Sequence, residues 1–332
     1  MDRDRPIVIA GAGSIGCFVG GLLALGGRDV RFLGRSGLAH SLDRAGLHLT
    51  CYTGLDRRLP AARLHFDTDP SVLRDAGLAI VTVKSAQTEE MAALIHRHAP
   101  LDAVVLSLQN GVDNPTILRR ALPGWRVAGG MVPFNVVRIG DARFHRGSSG
   151  PLVIEAGIPG LREWISVPGL ACRMARDFPS VQWGKLLLNL NNALNALSGL
   201  TLRDELTRRA WRSLLADQVE EALRALAAAC IGASTGSLLP ARLLPAILRA
   251  PDWLFPILAR SAVRIDAEAR SSMWEDLQRG RPTAIDALQG RVIALAESRG
   301  IAVPVNRRVV AMIRRREAGD DVPITPEQIR EF

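Results

Sequence analysis

The sequence predicts an α/β domain built on a parallel sheet over residues 1–178 and an all-α domain over residues 179–332. Three observations carry that division. Short apolar or β-branched runs alternate with amphipathic stretches through the first half, the pattern of successive strand–helix–strand units. From about Ser180 onward nearly everything has helical periodicity. The chain, at 332 residues, also exceeds the usual size of a single domain.

In order along the chain, parallel strands are expected over 7–10, 29–33, 78–83, 103–106 and 125–128, each a short apolar run with a turn or helix pattern after it. Between residues 131 and 155 the runs become strand-like and are separated by Gly140-Asp141 and Gly147-Ser148-Ser149-Gly150. That pattern predicts antiparallel strands extending the same sheet. Helices are expected over 180–197, 207–231, 238–264, 281–299 and 304–317, punctuated by Gly or Pro.

Composition narrows the function. There are 42 basic and 33 acidic side chains, a net charge of +9, but the arginines are scattered and interleaved with Asp and Glu, with few aromatics beside them. This argues against a nucleic-acid binder and for a surface that draws in small anions. The four cysteines, Cys17, Cys51, Cys172 and Cys230, have no metal-type spacing, and reduced thiols without a disulfide or zinc site are expected. With no apolar run long enough to span a bilayer and no apolar leader before the first strand, a soluble cytoplasmic protein with no membrane partner is expected.

The first strand runs into Gly11-Ala12-Gly13-Ser14-Ile15-Gly16 and then a helix. In such a Gly-x-Gly-x-x-Gly turn the first glycine permits the tight turn and the second lets the backbone approach a pyrophosphate. The third lets helix pack on strand, while the helix N-terminus offers amide donors. A Rossmann dinucleotide-binding domain follows, because a strand precedes the motif and a second strand comes after the helix. At the end of that second strand stands Leu33-Gly34-Arg35-Ser36, without the Asp or Glu that holds ribose hydroxyls in NAD sites. Arg35 can pair with a 2′-phosphate, so NADPH is favoured over NADH; the competing reading is a solvated loop arginine in an Arg-rich chain.

Only two of the basic residues are lysines, Lys84 and Lys185. An ammonium can lose its proton when desolvated, which a guanidinium does not do, so these two are candidates for chemistry as well as survivors of an Arg-rich composition. Lys84 follows the third predicted strand and Asn110 the fourth, which aims both at the carboxyl edge of a parallel sheet, where ligands bind. Asn110-Gly111 is equally a structural turn signal. Lys185 opens an apolar helix in which Asn189 and Asn192 follow at i+4 and i+7, a mostly uncharged polar stripe among leucines. Such a stripe is costly to bury unless a ligand, water or its own members satisfy it; the alternative is an exposed polar face.

Taken together, the glycine loop, Val83-Lys84-Ser85, Gln109-Asn110-Gly111-Val112, Trp183-x-Lys185-Leu186-x-x-Asn189, Ser271-Ser272-Met273-Trp274-x-Asp276 and Arg281-x-Thr283-x-Ile285-Asp286 with Gly290 resemble the ketopantoate reductase (2-dehydropantoate 2-reductase) family over essentially the whole chain. The resemblance implies a helical domain like that of 6-phosphogluconate dehydrogenase, and NADPH-dependent reduction of a 2-keto acid to a 2-hydroxy acid, as in pantothenate biosynthesis. It implies Lys185 as the general acid, Lys84 and Asn110 as cofactor and substrate contacts, Asn189 as a substrate contact, and Ser272 as the holder of the substrate carboxylate with Asp276 nearby. Independently of the resemblance, the Leu/Ala-rich faces of the helical domain can close a homodimer or only the domain's own core, and the dimer is favoured.

Two positions depart from the family pattern. Where the family has Glu after the Thr of its Arg-x-Thr-Glu motif, contacting the substrate hydroxyl, this chain has Ala284; where a second Asn usually stands eight residues after the lysine, it has Ala193, with Asn192 one step earlier. The resemblance therefore leaves the 2-keto acid itself open, with one lacking that hydroxyl favoured, and Asn192 taking the second Asn contact. The competing readings are another hydroxy-acid or imine oxidoreductase of the same architecture, and a non-catalytic NADP(H)-binding sensor.

Overall fold

The computed structural model describes residues 4–148, 150–236, 239–259, 269–320 and 324–331. Contacts divide the chain into two compact units, Met1–Phe178 and Pro179–Phe332.

Among the described residues the first unit holds twelve strands: β1 Ile7–Ala10, β2 Val30–Leu33, β3 Leu47–Cys51, β4 Asp56–Leu59, β5 His65–Asp67, β6 Leu78–Val81, β7 Val104–Ser107, β8 Arg126–Met131, β9 Val136–Ile139, β10 Arg143–Arg146, β11 Leu152–Glu155 and β12 Cys172–Ala175. Eight form one sheet in the order β12-β11-β8-β7-β6-β1-β2-β5. From β5 to β8 every pairing is parallel. Period-two alternation sends neighbouring residues of β1 to opposite faces: Ile7 and Ile9 enter a core with Phe18, Leu22 and Leu23, whereas Val8 and Ala10 enter another with Met91, Ile95 and Leu118. Both faces of the central strands are thus covered, which is why they read as continuous apolar runs. The chain leaves β1 for β2 on one side and returns to β6 on the other, so β1 is the switch point at which open α/β sheets bind ligands.

The region 131–155 does not simply extend this sheet. Only β11 joins it, antiparallel to β8, and β12 adds beyond it in parallel. Strands β9 and β10 instead pair with each other and, through a parallel β10–β3 ladder, with β3 and β4 in a separate four-stranded sheet. Leu47, Leu49 and Phe144 of that sheet bury their apolar sides in the same core as helix Ser14–Leu25. The pattern on β4 (Asp56, Arg57, Arg58 exposed, Leu59 buried) carries one apolar residue, too little for a strand to announce itself in sequence.

In the second unit the 20-residue helix Arg209–Ala228 is the central element, with Trp211, Leu214, Leu215, Val219, Ala222 and Leu226 buried. Buried Glu221 accepts from the Val305 and Asn306 amides, satisfying the orphan donors at the start of helix Pro304–Glu317. Three predicted helices are broken. Residues 180–197 are divided into Phe178–Asn189 and Asn191–Ser198 at Leu190, which keeps helical backbone angles and whose carbonyl accepts from Gln289 Nε2 at 2.9 Å. Residues 238–264 resolve into short helices Leu244–Leu248 and Phe255–Leu258 on either side of Pro251, Leu238 and 260–264 lying outside the described residues. The predicted 281–299 helix begins only at Asp286, with a wide turn to Gly290 and then Arg291–Glu297, because Pro282 removes a donor and biases Arg281 away from helix. Of the cysteines, Cys17 and Cys51 are buried, but Cys230, just past the end of helix Arg209–Ala228, is exposed. No helix among the described residues is long and apolar enough to cross a membrane.

Candidate active site

Register brings the loops that carry the first unit's candidate residues to one edge. Ala10 is aligned with Leu33 and with Val81, and Val81 with Ser107, so the loops that begin at Gly11, Gly34, Thr82 and Leu108 all leave the same end of the sheet. Glycine is required there by contact and by conformation. Gly11 has φ +111°, and a Cβ on it would lie 2.6 Å from a Val83 methyl. A Cβ on Gly16 would lie 2.6 Å from both the Gly11 carbonyl and Thr82 Oγ1, the pair joined by a 2.6 Å hydrogen bond. Gly13, by contrast, faces open space with nothing within 4 Å of such a Cβ, at the N-cap of helix Ser14–Leu25. Close packing below and an empty approach above, with the helix N-terminus directed into it, fit a pyrophosphate. Ala12 and Ser14 flank the opening, and Ile15 is partly covered by the core.

Arg35 and Ser36 follow Leu33 directly, Arg35 as the exposed residue before helix Ser36–Ala45. Gly34 lets this turn fold tightly, since a Cβ on it would meet Phe66 at 2.5 Å and Ala12 at 2.8 Å.

Lys84 and Asn110 are both exposed. Beneath them lies a polar network that motif reading alone does not reveal. Gln109 Nε2 donates to the Val83 carbonyl at 3.0 Å and to Thr88 Oγ1 at 2.8 Å, while its Oε1 accepts from Ser107. Asn114 Nδ2 donates to Ser85 Oγ at 3.0 Å and to the Asn110 carbonyl at 2.6 Å. Thr88, Ser107, Gln109 and Asn114 are buried, so these bonds act away from water and clamp the loop after β6 to the loop after β7. Thr88 and Asn114 had a sequence signal only in being polar residues at the first turns of apolar-faced helices.

In the second unit, Lys185 and Asn189 lie on helix Phe178–Asn189 and Asn192 on helix Asn191–Ser198. The break at Leu190 means that the i, i+4, i+7 stripe does not run along one uninterrupted helix, as the spacing predicted. All three side chains are nevertheless partly exposed, whereas Ala193 is fully buried in the helical core. Asn192 therefore reaches a surface from which position 193 is excluded. Burial draws the Lys185 ammonium down from the ordinary 10.5 to about 8. The neighbouring Gly184 is fixed by packing, for a Cβ on it would lie 2.0 Å from the Ser234 carbonyl.

Within the second unit, Ser271 ties the segment after it to the helix that carries Asn192. Its Oγ donates to the Asn192 carbonyl at 2.9 Å and accepts from the Trp274 amide at 3.1 Å, capping helix Ser272–Gln278. Exposed Ser272 is thereby held beside Asn192, with Asp276 one turn further along the same helix. Ala284 is exposed at a methyl-sized position just before buried Ile285.

Comparison with known proteins follows both units. The family model described as Ketopantoate reductase PanE/ApbA matches residues 7–157, and the one described as Ketopantoate reductase PanE/ApbA C terminal matches residues 177–317. A 2-dehydropantoate 2-reductase of Halobacterium salinarum is 28% identical over 319 residues, covering 93% of this chain and 97% of its own length. The crystal structure of a PanE/ApbA family ketopantoate reductase from Ralstonia eutropha JMP134 is similar with a TM-score of 0.80 at 27% identity, over 94% of this chain and 98% of that one. A ternary structure of D-mandelate dehydrogenase with NADH and anilino(oxo)acetate shares the fold, with a TM-score of 0.78 at 20% identity over 96% of this chain and 100% of that one.

Proposed function

The chain belongs to the ketopantoate reductase family of oxidoreductases, and on that premise we propose that it reduces a 2-keto acid to the 2-hydroxy acid with NADPH, Lys185 giving the proton. The observation that carries this reading is the Lys185 ammonium. At about 8 it is mostly charged at neutral pH, yet far readier to part with a proton than an ordinary lysine.

When bound, the reduced nicotinamide supplies a hydride to the keto carbon. The chain's own residues do the rest. The Gly13 amide region and the start of helix Ser14–Leu25 hold the pyrophosphate, with Gly11, Ala12, Ile15 and Gly16 shaping the turn. Arg35 and Ser36 receive the 2′-phosphate, a reading supported by their exposure at the end of β2 and by the absence of an acidic residue there. Lys84 and Asn110 contact the cofactor on the loops that Gln109 and Asn114 clamp.

Lys185 stabilises negative charge gathering on the keto oxygen and transfers its proton to that oxygen, leaving a neutral amine that solvent reprotonates. Asn189 and Asn192 offer amide donors to the substrate, and the Ser272 hydroxyl donates to its carboxylate, with Asp276 bordering that subsite. Exposed Ala284, where the family has a glutamate for the hydroxyl of ketopantoate, supports a preference for 2-keto acids without that hydroxyl.

Steady-state rates with 2-dehydropantoate and simpler 2-keto acids, using NADPH and NADH, test the proposal in wild type and Ala284→Glu. The expected outcome is faster turnover of a hydroxyl-free 2-keto acid with NADPH, and a shift toward 2-dehydropantoate in Ala284→Glu. Wild type that prefers 2-dehydropantoate with ordinary efficiency overturns the substrate assignment.

A further inference from the structure

Glu205 is 1% exposed in the second unit, yet none of the roles above uses it. Its Oε2 accepts from Asn195 Nδ2 at 2.7 Å and from Ser198 Oγ at 3.2 Å. Asn195, itself fully buried, turns its other end to the Ser271 amide, which donates to Asn195 Oδ1 at 2.8 Å. Ser271 then reaches the Asn192 carbonyl and caps the helix that begins at Ser272. A continuous chain of hydrogen bonds therefore runs from one buried carboxyl through Asn195 and Ser271 to the Asn192 carbonyl, with Ser272 the next residue along the chain.

The direction of the Asn195 amide is what this chain controls. An amide has a donor end and an acceptor end, and a flip would set NH2 against the Ser271 N–H. Two acceptors, Glu205 Oε2 and the Leu200 carbonyl at 3.0 Å, hold the donor end away from Ser271. The Leu200 carbonyl is shared with Arg270 Nη1, also at 3.0 Å, so Glu205 Oε2, at 2.7 Å, is the nearer of the two acceptors that hold Asn195 Nδ2.

We propose that Glu205 is a positioning residue for the 2-keto acid site: through Asn195 it sets the Ser271 backbone, and so the placement of Ser272 and Asn192 that meets the substrate carboxylate. This rests on the keto-acid reading above. Burial raises the Glu205 carboxyl to about 8, so it acts in its neutral form at neutral pH, and glutamine is the matching substitute. Asn195 needs only an acceptor oxygen, which Gln provides and Leu does not.

The test compares wild type, Glu205→Gln and Glu205→Leu by amide hydrogen exchange over the segment containing Ser271 and Ser272, by keto-acid KM and kcat, and by NADPH Kd. Glu205→Leu is expected to exchange faster in that segment and to raise keto-acid KM roughly tenfold or more, with NADPH Kd within about twofold, because lost orientation acts on one ligand only. Glu205→Gln is expected to restore both readouts to within about threefold of wild type. Unchanged exchange at Ser271, an unchanged KM in Glu205→Leu, or equal losses of keto acid and NADPH affinity each overturn the proposal. Asn195→Ala gives the same readouts if Glu205→Leu does not fold. Wild type without turnover on any 2-keto acid refutes the keto-acid reading, while the exchange readout still decides whether Glu205 positions Ser271.

Discussion

The Asn114 side-chain amide donates both to Ser85 Oγ and to the Asn110 carbonyl, so one buried residue joins the two loops that carry Lys84 and Asn110. Removing it takes that donor from Ser85 Oγ and the Asn110 carbonyl and loosens the clamp, leaving the Gln109 bonds and the Ser85 Oγ–Asn110 carbonyl bond to hold the loops. Asn114→Ala is expected to weaken NADPH binding by about tenfold and to lower stability by roughly 1–3 kcal/mol. Cofactor titration by fluorescence and urea unfolding check the two effects. Unchanged affinity would show that the loops are ordered without the clamp.

In the proposed function Arg35 distinguishes the cofactors. A charge-assisted contact to a 2′-phosphate contributes about 1.5–3 kcal/mol, so Arg35→Ala should raise the KM for NADPH by roughly ten- to a hundredfold. The KM for NADH should change little, since NADH lacks the phosphate. Parallel kinetics with both cofactors provide the measurement.

In the proposed mechanism Lys185 sets the alkaline limb of the reduction. Because its ammonium is drawn down to about 8, the proton-donating form is full below that value and lost as pH rises through it. The rate of reduction should therefore fall above about pH 8, and the reverse oxidation should rise over the same range. Lys185→Arg should remove the limb along with most of the rate, since a guanidinium stays protonated.

Glu205 gives a separate signature in stability. Its folded value of about 8 lies above the ordinary 4.5, so the folded state holds its proton where the unfolded chain has released it. The stabilising contribution is full below about pH 4.5 and is lost as pH rises through about 8. Glu205→Gln should flatten the decline of Tm across that window while keeping the alkaline kinetic limb of Lys185. Thermal melts from pH 5 to 9 measure it.

Arg212 holds the helical unit together. Its side chain is wholly buried, donates to the carbonyls of Leu206, Leu248 and Ala250, pairs with Asp252 and lies over the Phe255 ring. A lysine cannot span that fan of acceptors, so Arg212→Lys should cost about 3 kcal/mol in denaturant unfolding, with kcat of the folded enzyme little altered.

The parallel core and the glycine turn were legible because each is written locally: apolar runs for strands buried on both faces, and Gly11, Gly13 and Gly16 at fixed spacing. The four-stranded sheet was not, because β10 finds β3 nearly a hundred residues away and β4 presents a single buried residue. Helix breaks at Leu190 and after Arg281 escaped periodicity for different reasons. Leu190 fits an apolar helix and meets Gln289 only through the fold, whereas Pro282 carried a local signal that the longer pattern masked. At the site, Lys185 stood out by composition, but Asn114, Asn195 and Glu205 act through partners that sequence spacing does not bring together.

The most direct test of the central claim is single-turnover reduction of a 2-keto acid by NADPH-saturated wild type and Lys185→Ala, with NADPH Kd measured on both. The expected loss is about two to four orders of magnitude in rate, with Kd within about twofold. An undiminished rate, or loss of NADPH binding in place of the rate, would contradict Lys185 as the proton donor.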